Sequence, residues 1–193
     1  MMSAVVSIPD RTRAGGEQTD EWHLVRAASG GDSDAFASLY TRYRSMVHAI
    51  VLAHVRDYDV EDLVQDVFIS AYGRLASLRD PGAFGPWLST IARNCARDHL
   101  RERARRNLRL VNADLPEVST AASQNERRQA VEVLEAIRSL PETYRETLVL
   151  RLVEGLTGPE IAARSGLTHG SVRVNLHRGM KLLHQEIERR SLR

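Results

Sequence analysis

Cysteine is nearly missing from this chain: Cys95 is the only one in 193 residues, so no disulfide can form within it. Aromatic residues make up only 5%, which leaves any core to aliphatic side chains. Glycine and proline are few, and apolar and polar residues do not alternate over any long stretch, which argues against a β fold. No apolar run approaches the roughly 18 residues of a membrane span, and the N-terminus lacks the long apolar segment of a secretion signal. Membrane insertion is therefore not expected, and a cytosolic, cytoplasmic location is. The seven histidines (23, 48, 54, 99, 169, 177 and 184) are scattered, with no H-E-x-x-H pair, no P-loop and no Cys/His zinc set. No catalytic constellation, metal site or cofactor is expected, and an enzyme acting on nucleic acid is disfavoured. Lysine is almost absent too, since Lys181 is the only lysine among 27 Lys and Arg residues. A GC-rich genome accounts for most of that bias, and arginine also suits bidentate phosphate and guanine contacts.

What is present points to an all-α protein of two helical domains. Hydrophobic residues make up 42%, enough for real cores. The formal net charge is only +2 although the pI is about 9.0, so the placement of charge matters more than its sum. Phe36, Leu39, Tyr40, Tyr43, Val47, Ile50 and Val51 form one apolar stripe at helical spacing. Leu63, Val64, Val67, Ala71 and Leu75 form a second, and Leu88, Ile91, Ala92 and Cys95 begin a third, which places the Cys95 thiol in a core. Residues 1–19 read as a mobile tail and 20–109 as a helical bundle. Residues 110–126, with three acids, no base and Pro116, read as a linker able to span about 55–60 Å if extended. Helical spacing resumes at Val131, Leu134, Ile137 and Leu140, so a second domain covers 127–193.

The segment 141–184 carries the signature of a helix-turn-helix. Ala162 is small enough for close packing, Gly166 can take the positive φ of a tight turn, and Val172 points back to the core. Thr157 with Glu160 has the form of a capping box, Pro159 fits a first helical turn, and Thr168 is placed to cap the next helix. That helix, 169–184, has the polar candidates His169, Ser171, Arg173, Asn175, His177, Arg178 and Lys181. A plain αα-hairpin would carry the same arginines as a solvated face; the coincidence of caps, apolar frame and basic helix favours DNA.

A second basic surface precedes the linker. Seven arginines and two acids lie between Arg93 and Arg109, and Arg93, Arg97 and Arg101 share one helix face at i, i+4, i+8 beside Thr90, Asn94 and Asp98. Arginines interleaved with amides suit phosphates and base edges, although charge runs are usually solvated helix faces. Upstream, Pro81, Gly82, Gly85 and Pro86 force a loop bracketed at its end by Phe84 and Trp87. Two readings of those aromatics stand: a platform for an unstacked base, or plugs of the core. A third surface is acidic, with Asp59, Glu61, Asp62 and Asp66 around a helix start, where the helix dipole favours them and a basic partner could dock.

Three motifs in this order, VEDLVQDVFISAYGRL (60–75), FGPWLSTIARNCARDHLRERARR (84–106) and LPETYRETLVLRLVEGLTGPEIA with SVRVNLHRG, resemble the extracytoplasmic-function (group IV) RNA polymerase sigma factors. The resemblance implies a region 2 domain, a region 4 domain and transcription initiation at promoters. It implies that Asp62, Gln65, Asp66 and Phe68 dock on the clamp helices of the largest subunit of core RNA polymerase. It implies that the 76–86 loop and the helix from Trp87 melt and capture the −10 element, with Phe84, Trp87, Arg93, Asn94, Arg97, Asp98 and Arg101 as contacts. It implies that His169, Ser171, Arg173, Asn175, Arg178 and Lys181 face the −35 element in the major groove. Other implied partners are the polymerase flap region, promoter DNA and an anti-sigma factor.

The chain departs from the family pattern at Gly158–Pro159, where a Tyr or Ser pair is common, and at Arg173–Val174–Asn175, where a Lys-Ser-Arg run is usual. The −35 preference therefore cannot be inherited from the family. No middle domain or fused sensor domain is expected. The competing reading is a helix-turn-helix regulator of the response-regulator type, which 152–172 also resembles; it would need an α/β receiver that 20–109 lacks.

Overall fold

The computed structural model describes residues 12–55, 60–107 and 124–191. Within them the chain forms eight helices and no strand: α1 (Thr12–Ser29), α2 (Ser33–His54), α3 (Val60–Arg74), α4 (Phe84–Asn107), α5 (Gln124–Ser139), α6 (Glu142–Leu152), α7 (Gly158–Ser165) and α8 (His169–Ser191). Two short 3₁₀ turns, Leu75–Ser77 and Pro81–Ala83, join α3 to α4. The all-α, two-domain architecture expected from sequence is the one observed. Helix α1 starts at Thr12, inside the stretch read as a tail, and the rest of that tail lies outside the described residues, as do Asp59 and most of the linker.

Helix α2 organises the N-terminal domain. Gly31 turns the chain at φ 97°, and the Asp32 carboxylate then accepts from the Asp34 and Ala35 amides at 2.9 and 3.0 Å, satisfying amides that the helix start leaves orphaned. The first half of α2 buries one stripe, Ala35, Leu39 and Tyr43. From Met46 onward Val47, Ala49, Ile50, Val51 and Ala53 are all buried, so the second half is covered on every side. Helices α1, α3 and α4 cover three of those sides, and α6 of the C-terminal domain covers the fourth.

The C-terminal domain is the helix-turn-helix that the caps foretold. The Glu160 amide donates to the Thr157 hydroxyl at 3.4 Å and the Thr157 amide to the Glu160 carboxylate at 2.7 Å, closing the capping box. Gly166 ends α7 in the left-handed region at φ 76°. A Cβ there would also stand 2.9 Å from the Pro86 side chain, so glycine is needed twice at this position. The Ser171 amide donates to the Thr168 hydroxyl at 3.1 Å and starts α8 where expected. Ile161, Ala162 and Val172 are buried, and Leu167 and Leu176 pack against them.

The two domains are in contact. Helix α6 buries five consecutive residues, Glu146 to Leu150, which no one-sided helix can do. One side of it faces α8 and the other faces α2. Helix α7 lies against the start of α4, where Gly85 makes room: a Cβ at 85 would be 2.9 Å from the Arg164 carbonyl oxygen.

Candidate polymerase and promoter-DNA interfaces

The acidic face lies on α3. Val60, Leu63, Val64, Val67, Phe68 and Ala71 point inward, which leaves Asp62, Gln65 and Asp66 exposed on one outward strip. Phe68 differs from expectation. It is 3% exposed, held edge-on by Phe36 at 6.4 Å and tilted against Tyr40 at 4.6 Å, so it reaches the surface only as the floor of a groove. Its i+4 spacing from Val64 is the cause. The residues that do stand out beside Gln65 are Ile69 and Tyr72, 69% and 48% exposed. With Ser33, Phe36 and Tyr40 they line an open apolar groove of about 480 Å³. Exposed Ile and Tyr off the inward stripe were the sequence signal for it, since a solvated face would be polar there.

The basic face lies on α4. Leu88, Ile91, Ala92 and Ala96 are buried, and Thr90, Asn94, Arg97, Asp98 and Arg101 are exposed along the other side. Between α3 and α4 a hollow of about 870 Å³ is lined by Asp66, Arg74, Asn94, Arg97, Asp98 and Arg101, among others. The two aromatics of the loop separate in role. Phe84 is fully buried against Tyr43, ring centroids 5.1 Å apart, so it plugs the core and cannot stack on a base. Trp87 is half-buried at 5.8 Å from Phe84 and keeps part of its surface outside. Cys95 is half-buried, short of a core position, at the rim of the hollow; burial pushes its thiol pKa up, and Asp66 and Asp98 add to that.

Three arginines on this face, Arg93, Arg97 and Arg101, are already paired. The Arg93 Nε donates to both carboxylate oxygens of Glu146 at 2.9 Å, and its Nη2 lies 2.9 Å from Oε2. Glu146 also meets His54 Nε2 at 3.1 Å. Arg97 Nη2 donates to Glu142 at 2.7 Å, and Arg101 pairs with Asp98 at 3.1 Å. Burial pushes the Glu146 carboxyl up, but the hydrogen bonds from His54 and Arg93 outweigh it and hold its pKa below the ordinary 4.5. A depressed native pKa means that the charged form stabilises the folded, joined state. That contribution is complete above pH 4.5 and is lost as pH falls through the lower native value. The thermal stability of the intact chain should therefore fall as the pH drops below 4.5, and Glu146→Gln should flatten that dependence; an unchanged acid profile in the variant contradicts it.

The −35 candidates lie on α8. His169, Ser171, Arg173, Arg178 and Lys181 are exposed along one side, with His177 among them. From His169 to Gln185 that helix holds no acidic residue. Asn175 departs from expectation: it is 8% exposed and its side-chain amide lies 3.5 Å from the Thr147 hydroxyl of α6. It falls three residues after buried Val172 and four before buried Gly179, on the inward stripe, and cannot reach a groove.

Comparison with known proteins agrees with this division. Residues 39–106 match the sigma-70 region 2 family and residues 130–183 the sigma-70 region 4 family. The chain is 31% identical over 188 residues to the ECF RNA polymerase sigma-E factor of Haemophilus influenzae, covering 89% of this chain and 97% of that one. It is 36% identical over 177 residues to the probable RNA polymerase sigma factor RfaY of Xanthomonas campestris pv. campestris, covering 87% of this chain but only 44% of that longer protein. The sigma factor RpoE of Bartonella quintana, solved with the anti-sigma factor NepR, shares the fold at TM-score 0.57 and 21% identity, over 79% of this chain and 96% of that one. With its region 2 helices, a receiver-type regulator is not the favoured reading. The chain belongs to the extracytoplasmic-function, or group IV, family of RNA polymerase sigma factors, non-enzymatic initiation factors that direct alternative transcription.

Proposed function

We propose that α3 docks this sigma factor on core RNA polymerase, that the exposed face of α4 holds the opened −10 strand, and that α8 reads the −35 element. The observation that carries this reading is the separation of charge by helix. Exposed Asp62 and Asp66 stand on α3, arginines on α4, and an acid-free basic side on α8. The groove beside Gln65, with Ile69 and Tyr72 exposed, supplies apolar area to the polymerase contact, and Phe68 holds its floor. On α4, Asn94, Arg97, Asp98 and Arg101 line the hollow, Trp87 is half-buried one turn before Ile91, and Arg93 lies one turn before Arg97. On α8, His169, Ser171, Arg173, Arg178 and Lys181 face the groove. The polymerase flap region is the partner of the C-terminal domain, and an anti-sigma factor is the partner that restrains both domains. The chain works on the polymerase in the cytoplasm and has no enzyme activity of its own. No helix among the described residues is long and apolar enough to cross a membrane.

Transcription in vitro tests the whole reading. Purified chain and bacterial core polymerase on fragmented genomic DNA should give discrete RNA 5′ ends preceded by a shared two-block motif; absence of core binding would overturn it. Arg173→Ala should then cost about 1–3 kcal/mol at one or two −35 positions if the guanidinium reads a base edge. An equal loss at every promoter would make it a phosphate contact instead.

A further inference from the structure

Helix α8 turns one ridge directly away from its own core. Val172, Asn175, Gly179 and Leu183 are buried against the rest of the domain. Gly170, Val174, His177 and Lys181, spaced three or four residues apart, form the ridge opposite them, and all four are exposed. Arg173 and Arg178 flank Val174 on either side of that ridge. An apolar side chain, 41% exposed, therefore stands near the outward pole of the first half of the helix, between two guanidinium groups.

Nothing in the fold asks for valine there. Val174 lies outside the core cluster, and a β-branched residue forms helix less well than the straight-chain polar residues that suit a solvated position. Gly170, one turn earlier, is equally unforced: an added Cβ would meet nothing closer than the Thr168 hydroxyl oxygen at 3.9 Å, an ordinary contact. Without a side chain it lets the backbone approach closely whatever the ridge meets. Arg173, Val174, His177 and Arg178 line an open hollow of about 410 Å³. Contacts between the domains leave this ridge clear. Buried Arg138 of α5 donates to the backbone carbonyls of Leu52 and Val55, and the Ser89 hydroxyl to the Ser165 carbonyl, while α8 packs on α5, α6 and α7 of its own domain.

The N-terminal residues of a reading helix are the ones that meet base edges in the major groove. Thymine alone puts an apolar group on its edge there, the methyl on C5; the other bases offer donors and acceptors, which a valine would leave unpaired. We infer that Val174 is a specificity-determining residue of α8, and that it takes the 5-methyl group of a thymine in the −35 element, with Arg173 and Arg178 as the walls of the site. The inference rests on the reading of α8 as the −35 helix.

The test measures initiation by the holoenzyme on synthetic copies of a promoter mapped for the parent chain. Each thymine of the −35 block is replaced in turn by deoxyuridine, which lacks only the methyl. With the parent chain, at least one position should lose about three- to fivefold, the worth of one methyl group returned to water. Val174→Ser should lose the same factor on the thymine template and nothing more on the uracil template, so that the two changes do not add. Val174→Thr keeps a methyl branch and should keep the response to the thymine methyl. A −35 block without thymine, a parent chain indifferent to uracil at every position, or a Val174→Ser chain that keeps the full uracil penalty overturns the assignment. The reading beneath it is separable: replacement of the whole −35 block should abolish initiation, and normal initiation from that template removes α8 from the −35 element altogether.

Discussion

Core polymerase should fail to retain the chain when Asp62 and Asp66 are both changed to arginine. Both carboxylates are exposed on one side of α3, and neither supports the fold, because the inward face of that helix is built from Val60, Leu63, Val64, Val67, Phe68 and Ala71. Reversal puts two positive charges where a basic clamp surface is proposed to sit. Like charges brought together at an interface cost several kcal/mol, so affinity for core should fall by about a hundredfold or more. Circular dichroism should show an intact helical chain. Core affinity unchanged in a competition assay would remove α3 from the polymerase interface. Ile69→Ala and Tyr72→Ala, made without any charge change, separate the apolar part of the contact from the acidic part.

The second large effect is expected in the frame of the reading helix. Leu148 is fully buried where α6 meets α8, and its side chain fills the space that Gly179 leaves: a Cβ at 179 would stand 3.2 Å from it. Leu148→Ala should cost about 2–5 kcal/mol, the range for a truncated core leucine whose cavity cannot collapse. That is a large share of what a small helical domain has in reserve. Denaturant unfolding of the intact chain should show an early transition, and −35 recognition should be lost with it because α8 loses its seat. Leu152→Ala, on a side chain 44% exposed at the end of the same helix, should change stability by less than about 0.5 kcal/mol. A loss below about 1 kcal/mol at Leu148 would mean that α8 does not depend on α6.

Most of the helices, and both ends of the helix-turn-helix, were legible in the sequence because local rules determine them. The Thr157–Glu160 box, Gly166 and Thr168 act within a few residues of themselves, and each is found doing what its type and spacing imply. The candidate surfaces were legible at the level of faces and less so at the level of residues. Phe68, Phe84 and Asn175 were assigned outward by motif; the structure buries all three, Phe68 and Asn175 because each falls on the inward stripe of its helix, and burial of a stripe is what holds a helix in place. Asn175 misled through its polarity, which Thr147 on another helix partly satisfies. The contacts between domains were not legible at all. Glu146 and Arg93 are 53 residues apart and Arg138 is 86 residues from Leu52, and nothing near any of them in the chain marks its partner.

The grip of Arg138 on α2 has a consequence for how such a chain can diverge. Its hydrogen bonds end on the carbonyls of Leu52 and Val55, and that of Ser89 ends on the carbonyl of Ser165. Every residue type supplies a carbonyl, so the receiving positions can drift freely while the donors cannot. A C-terminal half grafted from another chain onto this N-terminal half should therefore dock if it brings an arginine at 138, whatever hydrophobic residues the host carries at 52 and 55. At these points the seam between halves is written in backbone, and exchange of the C-terminal half as a cassette meets no sequence demand from the host there.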